Sequence, residues 1–215
     1  MIRDNREYRS MPLLHKRAEA EPEENYIVEG HAATYDEYLL FNDGMNDFYE
    51  RIDPHAFDET DMSDVVFLID HDGRVFARTR NGSVQLMHDD IGLFCRVDLS
   101  RSSSARGVHE DIMCGNYDQM SFAFIVKDDE ITRDDKGYHR VIKSVGKLFD
   151  ISAVSFPANP HTSIGKSARS AFDGFIEEEK RLELAKAEEA RKLEQAKQKY
   201  MEVKHDERKE SGLQC

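Results

Sequence analysis

From Tyr26 to about Pro160 short apolar stretches alternate with clusters of turn residues, and beyond them the spacing of apolar positions changes to that of a helix. Residues 65–70 form an apolar run. Residues 75–80 and 83–87 flank Asn81-Gly82, a dipeptide that favours a two-residue hairpin because both positions accept positive φ. Residues 93–99 follow the turn Asp89-Asp90-Ile91-Gly92. Residues 120–126, 138–145 and 148–156 read as three further strands, with Asp134-Asp135-Lys136-Gly137 turning the first into the second. One helix interrupts the series: Ser102, Ser103 and Ser104 offer N-cap hydroxyls, Val108, Ile112 and Met113 an apolar face, and Gly115 a C′ glycine. Many short strands around one or two helices, without βαβ alternation, predict an α+β fold that is mainly β, with a barrel-like or curled sheet.

The two ends read differently. Residues 1 to about 24 are polar and charged, run into AEAEPEEN over 18–25, and predict a flexible charged arm. From about Phe172 no proline occurs, and no glycine lies between Gly174 and Gly212, in a stretch rich in Glu, Lys, Ala, Leu, Arg and Gln. That predicts a long C-terminal helix. Phe175, Leu182, Ala185, Leu193, Ala196, Tyr200 and Val203 lay a thin apolar stripe along it, interrupted by Glu189. Glu177 with Arg181 and Glu188 with Lys192 add i,i+4 pairs, each contributing a few tenths of a kcal/mol. The tail reads either as a solvated single helix or as an oligomerising or docking helix, since the stripe lacks sustained heptads. The divisions are thus an arm over 1–24, a domain over 25–168 and a helical tail over 169–215.

Composition narrows the function classes. The chain has 215 residues, 39% hydrophobic and 34% charged, enough for one average domain and a solvated remainder. With 43 acids against 30 bases the formal charge is −13, which repels phosphate backbones and argues against nucleic acid as a main partner. The tail is nearly balanced, so the acidity belongs to residues 1–170. Three cysteines, Cys95, Cys114 and Cys215, are an odd number with no close pair, which fits a reducing compartment. No apolar run has signal-peptide or membrane-span length, so the sequence reads as soluble, non-secreted and not membrane-bound.

Few residues invite chemistry. His71 in IDHDG follows the apolar run directly, at the rim of a sheet, where a general base is well mounted; the same triplet also reads as a polar turn. Alternation in MSFAFIV puts Met120, Phe122, Phe124 and Val126 on one face and Ser121, Ala123 and Ile125 on the other. Ser121, beside a small neighbour, has room for a carbonyl but is not part of a GxSxG elbow. As a nucleophile it requires a base, and that base an orienting group. Asp150 begins an apolar strand and is a candidate for the orienting role, with Ser152, His139 and His161 as competitors. His71-Asp72, His88-Asp89-Asp90 and His109 are potential metal ligands but lack HExxH or HxH spacing. No GxGxxG, GKS or GKT phosphate loop occurs, so no cofactor is implied.

The succession EGHAATYDEY, ERIDPHAF, VVFLIDHD, ARTRNGSVQLMHDDIGLFCRVDL, MSFAF and DISAVSFPANP resembles the prohead (capsid maturation) proteases of tailed bacteriophages. The resemblance spans about residues 25–166, and its specificity lies in six blocks standing in order at the right distances. It implies a serine endopeptidase with a fold similar to the herpesvirus assemblin proteases, a β-barrel with a few helices. It places the catalytic pair at His71 and Ser121. The family often has an acid in Glu-Val-Ser where this chain has Asp150-Ile151-Ser152, which makes Asp150 the third member. Two departures are an Asp before His71 in place of Asn, and MSFAF in place of MSFGF. The implied substrates are the scaffolding protein or domain, the major capsid protein and the protease itself, cut inside the assembling procapsid in the host cytoplasm. Self-association is implied as well, and the arm and helix then read as incorporation elements. The alternative is a non-catalytic capsid scaffold or assembly protein with a β-domain and a helical tail; among enzymes, the runner-up is a metal-dependent hydrolase using the His-Asp clusters.

Overall fold

The computed structural model describes residues 6–12, 26–155 and 166–211. The chain divides into two compact units, Met1–Ser170 and Ala171–Cys215. The first contains strands β1 (Glu7–Pro12), β2 (Ile27–Thr34), β3 (Tyr38–Asn42), β4 (Asp47–Ile52), β5 (Val66–Ile69), β6 (Asp72–Arg78), β7 (Val84–His88), β8 (Gly92–Asp98), β9 (Gln119–Arg133) and β10 (Tyr138–Val154). Helix α1 (Ser103–Met113) lies between β8 and β9, and helix α2 (Lys166–Ser211) begins in this unit and runs through the second. No described helix is long and apolar enough to cross a membrane.

β10 organises the larger, seven-stranded sheet. Along one edge it pairs antiparallel with β9. Along the other it takes two parallel neighbours in succession, β4 against residues 138–142 and β5 against residues 150–153. Its 17 residues permit this, since a strand advances about 3.3 Å per residue. β1 adds to the outer edge of β9, β3 to β4 and β6 to β5. The smaller sheet is antiparallel, in the order β2-β8-β7. Val28, Leu93, Cys95 and Val97 of the smaller sheet, Phe67, Phe122, Phe124, Leu148 and Ile151 of the larger, and Ala105, Val108 and Ile112 of α1 belong to one buried cluster.

The chain is therefore mainly β with a long C-terminal helix, but the barrel expected from the sequence is not found. Closure requires every outer strand to find a partner. Here β1 and β3 end one path of strands, β2 and β7 end the other, and no ladder joins the sheets among the described residues.

Several local readings hold. Ser102 caps α1, its Oγ accepting from the N–H of Ala105 at 3.1 Å, and Gly115 follows the helix with φ 81°. Asp134 and Gly137 turn β9 into β10; a side chain at Gly137, whose φ is 147°, would collide with the Asp47 carbonyl.

Others do not. Asn81-Gly82 makes no hairpin: β6 pairs with β5 and β7 with β8, in different sheets. The Asn81 side chain instead accepts from the N–H and Oγ of Ser83, residues 79–81 form a 3-10 turn, and Gly82 at φ 74° redirects the chain between sheets. Residues 138–145 and 148–156 are not two strands either. β10 runs through Gly146, and the expected break appears as register shifts that bulge the ladder. α2 begins at Lys166, before the position read from the sequence, and its stripe residues Leu182, Leu193 and Tyr200 are at least half exposed.

Part of the segment read as an arm is a strand. In β1 the polar run EYRSMP pairs with β9, and its inward face carries charge. Arg9 grips Glu50 of β4 with two bonds of 2.5 and 2.7 Å and also reaches Glu7 at 2.6 Å. Arg140 of β10 bonds both Glu7 and Glu50, and its Nε bonds Asp129 at 2.5 Å. Tyr38 donates to Glu50 at 2.6 Å. Glu7, Arg9, Glu50 and Arg140 are all buried, so two acids offset two bases out of water. Burial alone raises the Glu50 carboxyl pKa and is the largest single effect, but the charge and hydrogen bonds of Arg9, the Arg140 charge and the Tyr38 hydrogen bond together outweigh it and the net shift is downward. Burial likewise works against the Arg9 charge, and the Glu50 and Glu7 carboxylates beside it hold the guanidinium firmly protonated.

Candidate active site

The site is assembled across three neighbouring strands. Register places Ser121 of β9 opposite Ser152 of β10, which lies opposite Leu68 of β5; Asp150 lies between Ala123 and Val66. Residues aligned in this way share a face of the sheet. Met120, Phe122, Phe124 and Ile151 join the hydrophobic cluster, so Ser121, Asp150 and Ser152 lie on the opposite face, as alternation along MSFAFIV predicts.

His71 reaches this face from a tight turn. Ile69 pairs with Asp72, leaving Asp70 and His71 as the two central residues of the β5–β6 hairpin. Both have positive φ, 48° and 59°, the signature of a type I′ turn. Such a φ strains residues with a Cβ by about 1 kcal/mol or more. The turn is held by its surroundings: the Asp70 N–H donates to the Ala153 carbonyl at 3.0 Å, and its carboxylate accepts from the N–H and Oγ of Ser155 at 3.0 and 3.2 Å. Strands in a sheet are about 4.8 Å apart, so an imidazole beyond the end of β5 must cross β10 to meet β9. The small side chain of Ser152 leaves the room for that crossing.

The contacts form a relay. His71 Nε2 is 2.6 Å from Ser121 Oγ, and His71 Nδ1 is 2.5 Å from Asp150 Oδ1. An ionised carboxylate only accepts, so Nδ1 carries the proton and Nε2 offers a lone pair to the serine O–H. Ser152 Oγ donates to the same Asp150 oxygen at 2.8 Å and lies 3.2 Å from Nδ1. The Tyr8 ring of β1 meets the imidazole edge-on, with centroids 4.7 Å apart. Ser121 has no exposed surface. A hydroxyl hydrogen-bonded to a base that is itself oriented by a carboxylate is suited to nucleophilic acyl transfer.

The competing sequence candidates separate cleanly. Asp150 and Ser152 both touch His71, whereas His139 is bound elsewhere by Glu37 and Asp134 at 2.9 and 3.0 Å. His161 lies outside the described residues. The potential metal ligands are dispersed: His88 sits 3.6 Å from Asp58, His31 bonds Asp89, and His109 packs against Tyr26. Among the described residues no three His, Cys, Asp or Glu side chains converge to hold a metal. Sequence reasoning missed Tyr8, Asp70 and Ser155. Only Asp70 carried a local signal, since Asp tolerates positive φ in a two-residue turn.

Comparison with curated proteins and with solved structures gives no match. A family model described as caudovirus prohead serine protease matches residues 14–174, which include His71, Ser121 and Asp150. The chain belongs to that family.

Proposed function

We propose that Ser121, His71 and Asp150 are the nucleophile, base and orienting acid of an endopeptidase that matures the phage procapsid. The supporting observation is the unbroken hydrogen-bond chain from Ser121 through His71 to Asp150. In the reaction His71 Nε2 takes the Ser121 proton as Oγ bonds to the substrate carbonyl carbon. The tetrahedral intermediate collapses with cleavage of the C–N bond, and the imidazolium returns its proton to the leaving amine. Water, deprotonated by His71, then releases the acyl group and restores Ser121. Asp150 keeps the proton on Nδ1 and stabilises the transient imidazolium. Backbone N–H donors at the developing oxyanion are worth about 3 kcal/mol each.

The substrates we assign are the scaffolding protein or domain, the major capsid protein and the protease itself, inside the assembling procapsid in the host cytoplasm. Confinement there raises effective concentration without high intrinsic affinity. The helical tail contacts scaffold or a second copy of the chain. The test is co-expression with the neighbouring capsid protein, following intact masses of both chains for wild type and Ser121→Ala. Discrete cuts that vanish in the variant and persist in chelator support the reading. Assembled particles with both proteins whole would favour a non-catalytic assembly role.

A further inference from the structure

Every residue of α2 from 180 to 201 is exposed, Leu182 and Leu193 among them. A helix gains most of its stability from packing of its apolar face, so a bare stripe of this kind calls for a cover. The stripe has an order that heptads do not describe. Leu182, Ala185 and Glu189 are followed eleven residues later by Leu193, Ala196 and Tyr200. An 11-residue repeat advances about 3.67 residues per turn, close to the 3.6 of a straight helix, so the six positions stay within an arc of about 80°. The pattern is also symmetric about Glu189: Ala185 and Leu193 stand four residues to either side of it, Leu182 and Ala196 seven. Charge changes sign at the same point. Residues 177–188 carry five acids and three bases, residues 190–201 one acid and four bases.

Two such helices can meet in two ways. In a parallel pair each half lies along its like, and leucine meets leucine while alanine meets alanine. In an antiparallel pair with a two-fold axis at Glu189, the acidic half of each copy lies along the basic half of the other. Leu182 then meets Ala196 and Ala185 meets Leu193, so large side chains fill the space beside small ones. We propose that α2 is a self-association helix that pairs antiparallel with a second copy of this chain about Glu189. Symmetry about one residue serves only a partner of the same sequence, because a two-fold interface matches a patch to itself. The two Glu189 carboxylates approach the axis among Lys186 and Lys192 of both copies, where a polar residue fixes register at a cost in stability. Such pairing takes the second copy from the two contacts assigned to the tail under the proposed function, and it is independent of the proposed triad.

The experiment uses the full chain with Ser121→Ala, so that self-cleavage cannot shorten the tail, and follows its mass by sedimentation over a concentration series. The mass of two chains is expected as concentration rises. Glu183→Lys with Glu188→Lys turns residues 177–188 from −2 to +2 and sets like charges together along the antiparallel pair. The dissociation constant should rise about tenfold. Lys192→Glu, Lys197→Glu and Lys199→Glu together turn residues 190–201 from +3 to −3 and should weaken association as much. An equimolar mixture of the two variants should associate again, which also shows that both are folded. In a parallel pair either reversal replaces one like-charge contact by another of the same size, so an unchanged dissociation constant would overturn the antiparallel pair. A mixture that stays monomeric would overturn it too. The mass of one chain at every concentration would mean that the stripe is left for another protein, and the pairing would fall. Cleavage of the capsid protein by the wild-type chain is a separate readout, so either result stands or fails without the other.

Discussion

At the scale of residues, the site makes Asp150 and Ser152 unequal partners of one imidazole. In the proposed triad Asp150 fixes the tautomer, so Asp150→Asn, which can present an N–H to Nδ1, should lower kcat by about three orders of magnitude with little effect on KM. Ser152 shares the same carboxylate oxygen and limits its rotation. Ser152→Ala should cost about tenfold in kcat, a positioning effect, while Ser152→Leu, which fills the space under the ring, should be far worse. Single-turnover cleavage of a defined peptide separates these outcomes; an Asp150→Asn enzyme of near wild-type rate would remove Asp150 from the triad. The same scale governs the buried charges. Glu50 holds Arg9, Arg140 and Tyr38 at once, so Glu50→Gln leaves buried cations under-compensated and should destabilise the fold by about 3 kcal/mol in denaturant titration.

At the scale of elements, the β5–β6 turn decides where the imidazole points. Asp70→Ala removes the bonds to Ser155 and puts a poor left-handed residue beside His71, so kcat should fall about tenfold and thermal stability with it. Asp70→Asn, which keeps an acceptor and tolerates positive φ, should recover most of both. Asp70→Gly relieves the strain and lacks the tether, so it should recover stability without activity; recovery of both by glycine would show the tether to be idle. How far each element was legible follows from where its information lies. Alternation over 120–126 and the serines before α1 are local signals, and both carry through to the structure. The pairing partners of β6 and β7 are not local: Asn81-Gly82 has the residues of a hairpin, but side-chain bonds from Ser83 and the pull of two sheets turn it into a crossover. β1 was illegible because its buried positions are Glu7 and Arg9, whose partners Glu50 and Arg140 are far along the chain; a polar run looks solvated until its counter-charges are in place. The residues of the proposed triad were visible singly, and their grouping came from the order of the sequence blocks that resemble the family.

At the scale of the whole molecule, net charge and paired carboxylates pull stability in opposite directions as the pH falls. With a formal charge of −13, acidification from neutrality first relieves self-repulsion. Against this, a set of surface carboxylates is held ionised by its partners. Bonds from Ser63 and Lys147 hold Asp61 well below the usual carboxylate range, Arg78 lowers Asp64, and the Lys136 N–H and His139 lower Asp134. His31, with the N–H groups of Ile91 and Gly92, brings Asp89 to about 2 from the ordinary 3.8. A carboxylate with a depressed folded pKa stabilises the fold above its unfolded pKa and loses that contribution as pH falls through the folded value. The loss here therefore begins near pH 4, passes through about pH 2 for Asp89 and ends lower still for Asp61. The shifted histidines oppose one another: Glu37 and Asp134 raise His139, whose contribution is lost as pH rises through its folded value, whereas burial lowers His109, whose contribution is lost as pH falls below the ordinary 6.5. The carboxylates and the net charge are left to set the profile. Tm should hold or rise slightly from pH 7 to about pH 5 and then drop steeply below about pH 4. Calorimetry across this range distinguishes the two forces, since relief of repulsion ends near the pI of about 5.1 and a Tm that held level from pH 4 to pH 2 would mean that the paired carboxylates contribute nothing to stability.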